Sequence, residues 1–377
     1  MKIMMSAGEA SGDIYGAYLA EELIRLNPDI RVFGIGGPEM RKRGVSILED
    51  PTSFSAVGFT EILSSLSFHR KTLNRALQEL IKASPDCLVL IDFPEFNMRL
   101  MRQAVKHNIP RIYLFPPTAW AWRRGRAETL ANSGAIIASV FPLEADTYLR
   151  AGADVRFVGH PLLDLVDPSN PEIKESLRKD MGLDFKEVIG ILPGSRDQEV
   201  RRILPTMLKA AALIKEKRPG VGFVLPLSHT VSWGTVEENI IKSGLPVRIV
   251  SGDSHLCMAV SDVLTVASGT ATMEATIVGT PMVVVYKTSR LTYLLARSFI
   301  NIPFVSWPNI LAERRIVPEL LQRKAKPRAI AGEVFTMLNN PALLLKIQND
   351  LAEARNKLGS PGAIMKIAKL ILEVARK

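Results

Sequence analysis

Short apolar runs recur along the chain, each followed by a longer stretch of helical character. In the first half the runs are Ile3–Ser6, Arg31–Gly34, Cys87–Ile91, Arg111–Phe115, Ala135–Phe141 and Val155–Val158. Several are rich in Val and Ile and apolar throughout, the pattern of strands buried on both faces of a parallel sheet. Helical stretches such as Ile14–Leu26 and Lys71–Ala83 lie between them. Alternating β and α predicts a doubly wound α/β sheet. Around Asp164–Pro171 the chain turns polar and carries two prolines, and a second series begins: Val188–Leu192, Gly222–Leu225, Val247–Val250, Val263–Val266 and Pro281–Tyr286. The pattern predicts two Rossmann-like domains facing each other across a cleft, over 1–165 and 166–340. Residues 341–377 read as C-terminal helices crossing back to the first domain. Ligands of such sheets bind at the carboxyl ends of the strands.

Composition narrows this picture. A chain of 377 residues, 47% hydrophobic and 23% charged, is large enough for two cores and too apolar for wholesale disorder. Cys87 and Cys257 both lie in or near apolar segments and read as buried thiols. No apolar run reaches the ~18 residues of a membrane span. After Lys2, three apolar residues precede Ser6-Ala7-Gly8-Glu9, which does not suit a signal peptide, so a cytoplasmic location is expected. The net charge of +10 attracts polyanions: nucleic acid, anionic lipid or phosphorylated substrates.

The sharpest motif is Ile191-Leu192-Pro193-Gly194-Ser195-Arg196, followed by Gln198-Glu199-Val200. A strand ends, a Pro-Gly turn follows and a helix begins. Backbone N–H groups at a helix start bind anions, Ser195 adds a hydroxyl, and Arg196 can fork two N–H groups onto a diphosphate. The alternative is an ordinary turn with a solvated arginine. A second loop, Ala267-Ser268-Gly269-Thr270-Ala271-Thr272-Met273-Glu274, follows the strand Val263–Val266. Its small residues admit a phosphate, Ser268 and Thr270 can donate, and Glu274 is placed to accept the two ribose hydroxyls of a nucleotide. The competing reading is a helix cap at Thr270 with Glu274 near the capping-box position. Two such loops in one domain favour a nucleoside diphosphate, with Gly194, Ser195, Arg196, Glu199, Ser268, Gly269, Thr270, Ala271 and Glu274 as donor-site candidates. There is no Walker A sequence, no Asp-x-Asp pair and no His/Cys cluster, so no metal or cofactor is called for.

Three loops of the first domain carry polar chemistry. Ser6–Asp13 is glycine-bearing but holds Glu9 and Asp13 where a phosphate would sit, which suits sugar hydroxyls better. Ser11 or Asp13 could equally serve only as a helix cap. Asp92, at the carboxyl end of Cys87–Ile91 among apolar neighbours, is the leading general base, because partial burial raises a carboxyl pKa. Glu9, Asp13 and Glu95 are rivals, and a structural carboxylate is the plainer alternative. Asn97 follows in the same loop. Phe115–Arg124 carries Trp120, Trp122, Arg123 and Arg124, a sugar platform beside an anion site or simple packing. His160, in Gly159-His160-Pro161, sits near the expected hinge. Ser11, Asn97, Trp122, Arg123 and His160 are therefore acceptor-site or hinge candidates.

Taken together and in order, Ser6–Asp13, Gly36–Met40, Val57–Glu61, Ile91–Asn97, Trp120–Arg123, Gly159–Pro161, Leu192–Arg196, Ser268–Glu274 and Pro308–Leu311 resemble the lipid-A-disaccharide synthase family. Each motif is weak alone, and the ordered set is specific. The resemblance implies a GT-B fold and an inverting hexosyl transfer without a cofactor. It implies UDP-2,3-diacylglucosamine as donor and 2,3-diacylglucosamine 1-phosphate (lipid X) as acceptor. The products would be the β-1′,6-linked disaccharide 1-phosphate and UDP. It assigns Arg196 and Glu274 to the UDP site and makes Asp92 the candidate base. Acylated substrates need an apolar surface, and Phe54, Phe59, Ile62, Leu63 and Leu66, followed by Phe68-His69-Arg70-Lys71, read as an element touching an anionic membrane, or else as a core helix with a solvated end. A homodimer is also compatible with the sequence. Other UDP-sugar enzymes of the same fold are the nearest alternatives: a peptidoglycan N-acetylglucosaminyltransferase, whose Gly-Gly-Thr-Gly-Gly-His turn is absent, or a UDP-N-acetylglucosamine 2-epimerase. A nucleic-acid-binding role is disfavoured by 6% aromatic content and the lack of a recognised motif.

Overall fold

The computed structural model describes residues 1–52, 59–117, 125–228, 230–288 and 303–376, with side chains at 59–67 left aside. The chain forms two compact units, Met1–Asp164 with Leu358–Lys377, and Leu165–Lys357.

The first unit alternates strand and helix: β1 (Lys2–Ala7), α1 (Ala10–Leu26), β2 (Arg31–Ile35), α2 (Pro38–Lys42), β3 (Ser46–Glu49), α3 (Phe59–Ala83), β4 (Cys87–Ile91), α4 (Pro94–Lys106), β5 (Arg111–Leu114), α5 (Gly125–Asn132), β6 (Ile136–Ser139), α6 (Pro142–Arg150) and β7 (Val155–Phe157). Its parallel sheet has the order β3-β2-β1-β4-β5-β6-β7. The central strands are apolar because helices cover both faces. Every residue of β4 is fully buried, and burying a Leu, Val or Ile side chain stabilises by about 1.5–3 kcal/mol. A short 3₁₀ turn, Pro161–Asp164, ends this part of the unit.

The second unit runs α7 (Pro171–Asp180), β8 (Glu187–Leu192), α8 (Asp197–Lys217), β9 (Val221–Leu227), α9 (Trp233–Ser243), β10 (Val247–Ser251), α10 (Ser254–Val260), β11 (Val263–Ala267), α11 (Thr270–Val278), β12 (Met282–Tyr286), α12 (Trp307–Ala312), β13 (Glu319–Leu321), α13 (Pro327–Leu338) and α14 (Pro341–Asn356). Its parallel sheet has the order β10-β9-β8-β11-β12-β13. The last helix, α15 (Ala363–Val374), belongs to the first unit. The Asp164 carboxylate accepts from the backbone N–H groups of Gly362 and, at 2.7 Å, Ile364, capping the start of α15. The His160 N–H donates to the Leu358 carbonyl at 2.9 Å.

Each run of apolar residues read from the sequence coincides with a strand. Two strands escaped that reading, β3 and β13, both at sheet edges. Both cysteines are buried free thiols, and burial pushes each up to about 12. Among the described residues no helix is long and apolar enough to cross a membrane.

Candidate active site

Each sheet reverses its strand order once, between β1 and β4 in the first unit and between β8 and β11 in the second. At such a switch point the connections diverge to opposite faces and leave an opening at the carboxyl edge, where ligands of these sheets bind. Of the described candidates, Glu9 and Asp92 lie at the first of these edges, and Gly194–Arg196 and Ser268–Ala271 at the second.

In the first unit β1 and β4 pair with Ala7 opposite Ile91, so Gly8-Glu9 and Asp92-Phe93 leave the sheet side by side. Asp92 and Phe93 both take left-handed backbone conformations, with φ of 48° and 50°, and Phe115 at the end of β5 does the same at 54°. Non-glycine residues rarely occupy this region, and doing so costs of order 1–3 kcal/mol each. A carbonyl clamp holds the conformation: the Asp92 carbonyl accepts from Asn97 Nδ2 at 2.6 Å and from the Tyr113 hydroxyl at 3.1 Å. Gly8 lies flat under the Phe93 ring, where a Cβ would sit 2.4 Å from ring carbons. The Asp92 side chain is half-buried. Loss of water raises its pKa to about 6, with the Glu9 carboxylate adding to the rise and the Phe93 N–H opposing it.

Three sequence assignments change here. Asp13 is not available as a base: its carboxylate accepts from the N–H groups of Gly37 (2.8 Å), Glu39 (2.9 Å) and Met40 (3.0 Å), anchoring the start of α2. Asn97 does not face an acceptor. It is fully buried, accepts from Ser6 Oγ at 2.6 Å and donates to the Ser6 carbonyl at 3.1 Å, so it ties β1 to β4 and positions Asp92. His160 is buried too, its Nδ1 accepting from the Leu162 N–H at 3.1 Å, with its ring against Tyr15, Phe115 and Phe141. Burial lowers its pKa to about 3, so it is neutral, with its proton on Nε2. Glu9 stands at the N-cap of α1 without a side-chain cap bond, and Ser11 lies in the first turn, partly exposed. Glu95, the remaining rival base, is exposed and paired with Arg126. Trp122, Arg123 and Phe54 lie outside the described residues, as do the side chains of Phe59, Ile62, Leu63 and Leu66.

In the second unit β8 and β11 pair with Leu192 opposite Val266, which sets the starts of α8 and α11 beside each other. Gly194 has φ of 116°, and a Cβ there would lie 2.6 Å from a Glu199 carboxylate oxygen, so the turn requires glycine and rests on Glu199. Arg196 is the N-cap of α8, its side chain 70% exposed and 3.9 Å from Glu199. Ser195 is exposed, and its carbonyl accepts from Thr230 Oγ1 at 2.5 Å, a partner the sequence did not suggest. The N-cap of α11 is Gly269, not Thr270, so no capping box forms and no side chain caps the first turn. Thr270 and Ala271 begin the helix at the surface. The N–H groups of such an uncapped first turn are free of a side-chain cap and of the kind that can bind an anion. Ser268 differs from expectation: its hydroxyl donates to the Val305 carbonyl at 2.8 Å. Glu274, 18% exposed, faces Ser254 Oγ at 3.4 Å and His255 Nε2 at 3.5 Å. That carboxylate raises the His255 pKa. Neither residue was singled out from sequence, although both follow a recognised strand, β10, at the same carboxyl edge. Among the described residues no group of three or more His, Cys, Asp or Glu is arranged to hold a metal ion.

Two doubly wound parallel sheets, each with a switch point at its carboxyl edge, are the elements of the GT-B glycosyltransferase fold. Solved structures of that fold agree. UDP-GlcNAc 2-epimerase from Neisseria meningitidis, bound to UDP-GlcNAc, superposes with a TM-score of 0.66 at 16% identity, over 99% of this chain and 100% of that one. MurG of Acinetobacter baumannii does so with a TM-score of 0.60 at 15% identity, over 99% of each chain. At those identities the likeness is one of fold. The sequence comparison goes further. The profile of the Lipid-A-disaccharide synthetase family matches residues 3–374. The lipid-A-disaccharide synthases of Syntrophus aciditrophicus and Geobacter sulfurreducens are 39% and 38% identical over 100% of this chain and 98% of theirs. The chain therefore belongs to the lipid-A-disaccharide synthetase family, and it is a glycosyltransferase of lipid A biosynthesis.

Proposed function

We propose that this chain joins UDP-2,3-diacylglucosamine to 2,3-diacylglucosamine 1-phosphate with Asp92 as the general base. The acceptor 6-hydroxyl attacks the anomeric carbon, Asp92 takes its proton, the glycosidic bond to UDP breaks, and the anomeric configuration inverts. An alcohol is far too weakly acidic to ionise near neutrality, so a base positioned in the transition state contributes about 10²–10⁴-fold. The observation that carries the assignment is the Asp92 carboxyl itself: half-buried, at the switch point, with a pKa of about 6 and a clamped backbone. At neutral pH it is ionised and close to the range a base needs. Arg196 and the N-terminal N–H groups of α8 and α11 neutralise the departing diphosphate, and Glu274 accepts the ribose hydroxyls. Both substrates carry acyl chains, and we place the enzyme at the cytoplasmic face of the inner membrane. Exposed Arg70, Lys71 and Arg75 on α3, next to the apolar segment 54–66, support contact with anionic lipid. The deciding experiment incubates the two acylated substrates with the enzyme and follows UDP release and disaccharide 1-phosphate. Release of UDP without the acceptor, or 2-epimerisation of UDP-N-acetylglucosamine, would overturn the reading.

A further inference from the structure

The carboxyl edge around Asp92 is strongly acidic. The connections leaving β1, β4, β5 and β6, with the first turns of the helices they enter, carry exposed Glu9, Glu95 and Glu128 and half-buried Asp92, besides the buried Asp13 and Glu144. A phosphate monoester brought to this edge would meet like charge. Among the described residues of those connections and turns the basic side chain is Arg126, in the first turn of α5; Arg123 and Arg124 of the same connection lie outside the described residues. Its placement is asymmetric. The Arg126 side chain is only 18% exposed, while its ion-pair partner Glu95 is 79% exposed. The cation is thus set inward and its counter-ion outward. Arg126 also lies near the phenols of Tyr113 and Tyr148, where its charge opposes the upward push that burial gives both. The Tyr113 hydroxyl donates to the Asp92 carbonyl, so the guanidinium stands near one of the two groups that clamp the base.

We infer that Arg126 is the anchor for the phosphate of the acceptor sugar, with Glu95 as its resting partner. The inference rests on the reading that the acceptor is a sugar 1-phosphate deprotonated by Asp92. A guanidinium offers parallel N–H donors that match two phosphate oxygens, and such charge-assisted pairs fix orientation as well as affinity. When the phosphate arrives it takes the fork from Glu95, whose exposed carboxylate returns to water at little cost. Anchoring the sugar at its phosphate orients its far end, the 6-hydroxyl, toward Asp92. This also gives Glu95 a role other than base.

The test compares two acceptors, 2,3-diacylglucosamine 1-phosphate and the same sugar with a free 1-hydroxyl, in wild type, Arg126→Gln and Arg126→Lys. Wild type should prefer the phosphorylated acceptor in kcat/KM. Arg126→Gln should lower kcat/KM for that acceptor roughly 10- to 100-fold, mainly through KM, and abolish the preference. Its UDP affinity should stay within about twofold of wild type, and its loss on the unphosphorylated sugar should be much smaller than on the phosphorylated one. Arg126→Lys, which keeps the charge without the fork, should restore part of the preference. Equal losses on both acceptors would make Arg126 a merely structural residue and overturn the inference alone. Failure of wild type to turn over the phosphorylated acceptor would overturn the underlying reading, and the inference with it.

Discussion

Replacing Asp92 with Asn should make the protein both inactive and more stable. The folded-state pKa of Asp92 stands at about 6 against 3.8 for an unperturbed carboxyl, and burial is the larger cause. A raised pKa means that the folded state holds the proton more tightly than the unfolded chain. Stability then falls as pH rises from about 4 to about 6, and the cost is fully present above that window. At 1.36 kcal/mol per pH unit the charge costs about 3 kcal/mol at pH 7. Asn keeps the shape and removes the charge. Asp92→Asn should therefore exceed wild type by up to about 3 kcal/mol at pH 7.5, with the gap closing toward pH 4. Its kcat should fall about 10²–10⁴-fold. Urea unfolding at pH 4, 5.5 and 7.5, followed by circular dichroism, measures the first effect, and UDP release measures the second. In wild type kcat/KM should lose activity on an acid limb near pH 6, and Glu9→Gln should move that limb to lower pH by less than about one unit, since Glu9 is the lesser cause. A variant no more stable than wild type at pH 7.5, or a gap independent of pH, would show that Asp92 is not held against its own charge. Unimpaired turnover would remove it as the base.

Arg196→Ala should weaken UDP binding by about 1.5–3 kcal/mol, the worth of a hydrogen bond to a charged group, as read by calorimetry; unchanged affinity would take Arg196 out of the site. Glu144 is a buried carboxyl that accepts from Ser139 Oγ and the Val140 N–H, and burial raises its pKa to about 7. Its contribution to stability therefore falls as pH rises toward 7, and Glu144→Gln should gain on wild type between pH 5 and pH 8 in thermal melts; a gain independent of pH would refute this. Changing Phe59, Ile62 and Leu66 to Ser should shift protein from the membrane to the soluble fraction with the fold kept, whereas global unfolding would assign those side chains to the core.

The sequence made the strand ladder legible because central strands covered on both faces must be apolar. Strand β3, Ser46-Ile47-Leu48-Glu49, is a half-exposed edge strand and lacks that signature. Loops at strand ends were legible as site loops for the same topological reason. What each polar residue does inside a loop was not. Asp13 spends its carboxylate on N–H groups 24 to 27 residues further on, and Asn97 meets Ser6 across 91 residues. No spacing rule encodes those meetings. Tyr113 reads as one more apolar strand residue, and only the fold turns its hydroxyl toward Asp92. Ser268 was read as a phosphate donor because its type permits it, but its hydroxyl donates to the Val305 carbonyl.

The cap that Asp164 places on α15 bears on how the protein is made. The first unit owns the last helix of the chain, and that helix buries Ala363, Ile367, Ala368 and Ile371. During synthesis the segment Met1–Asp164 emerges first but lacks its final layer until the whole of Leu165–Lys357 has passed through the ribosome. At about 5–20 residues per second that delay is on the order of 10–40 s. Throughout it the side of α1 that α15 will cover is open to solvent. A nonsense mutation anywhere after residue 164 would damage the domain already made, and a stop codon within α15 should be nearly as harmful as one in the middle of the gene.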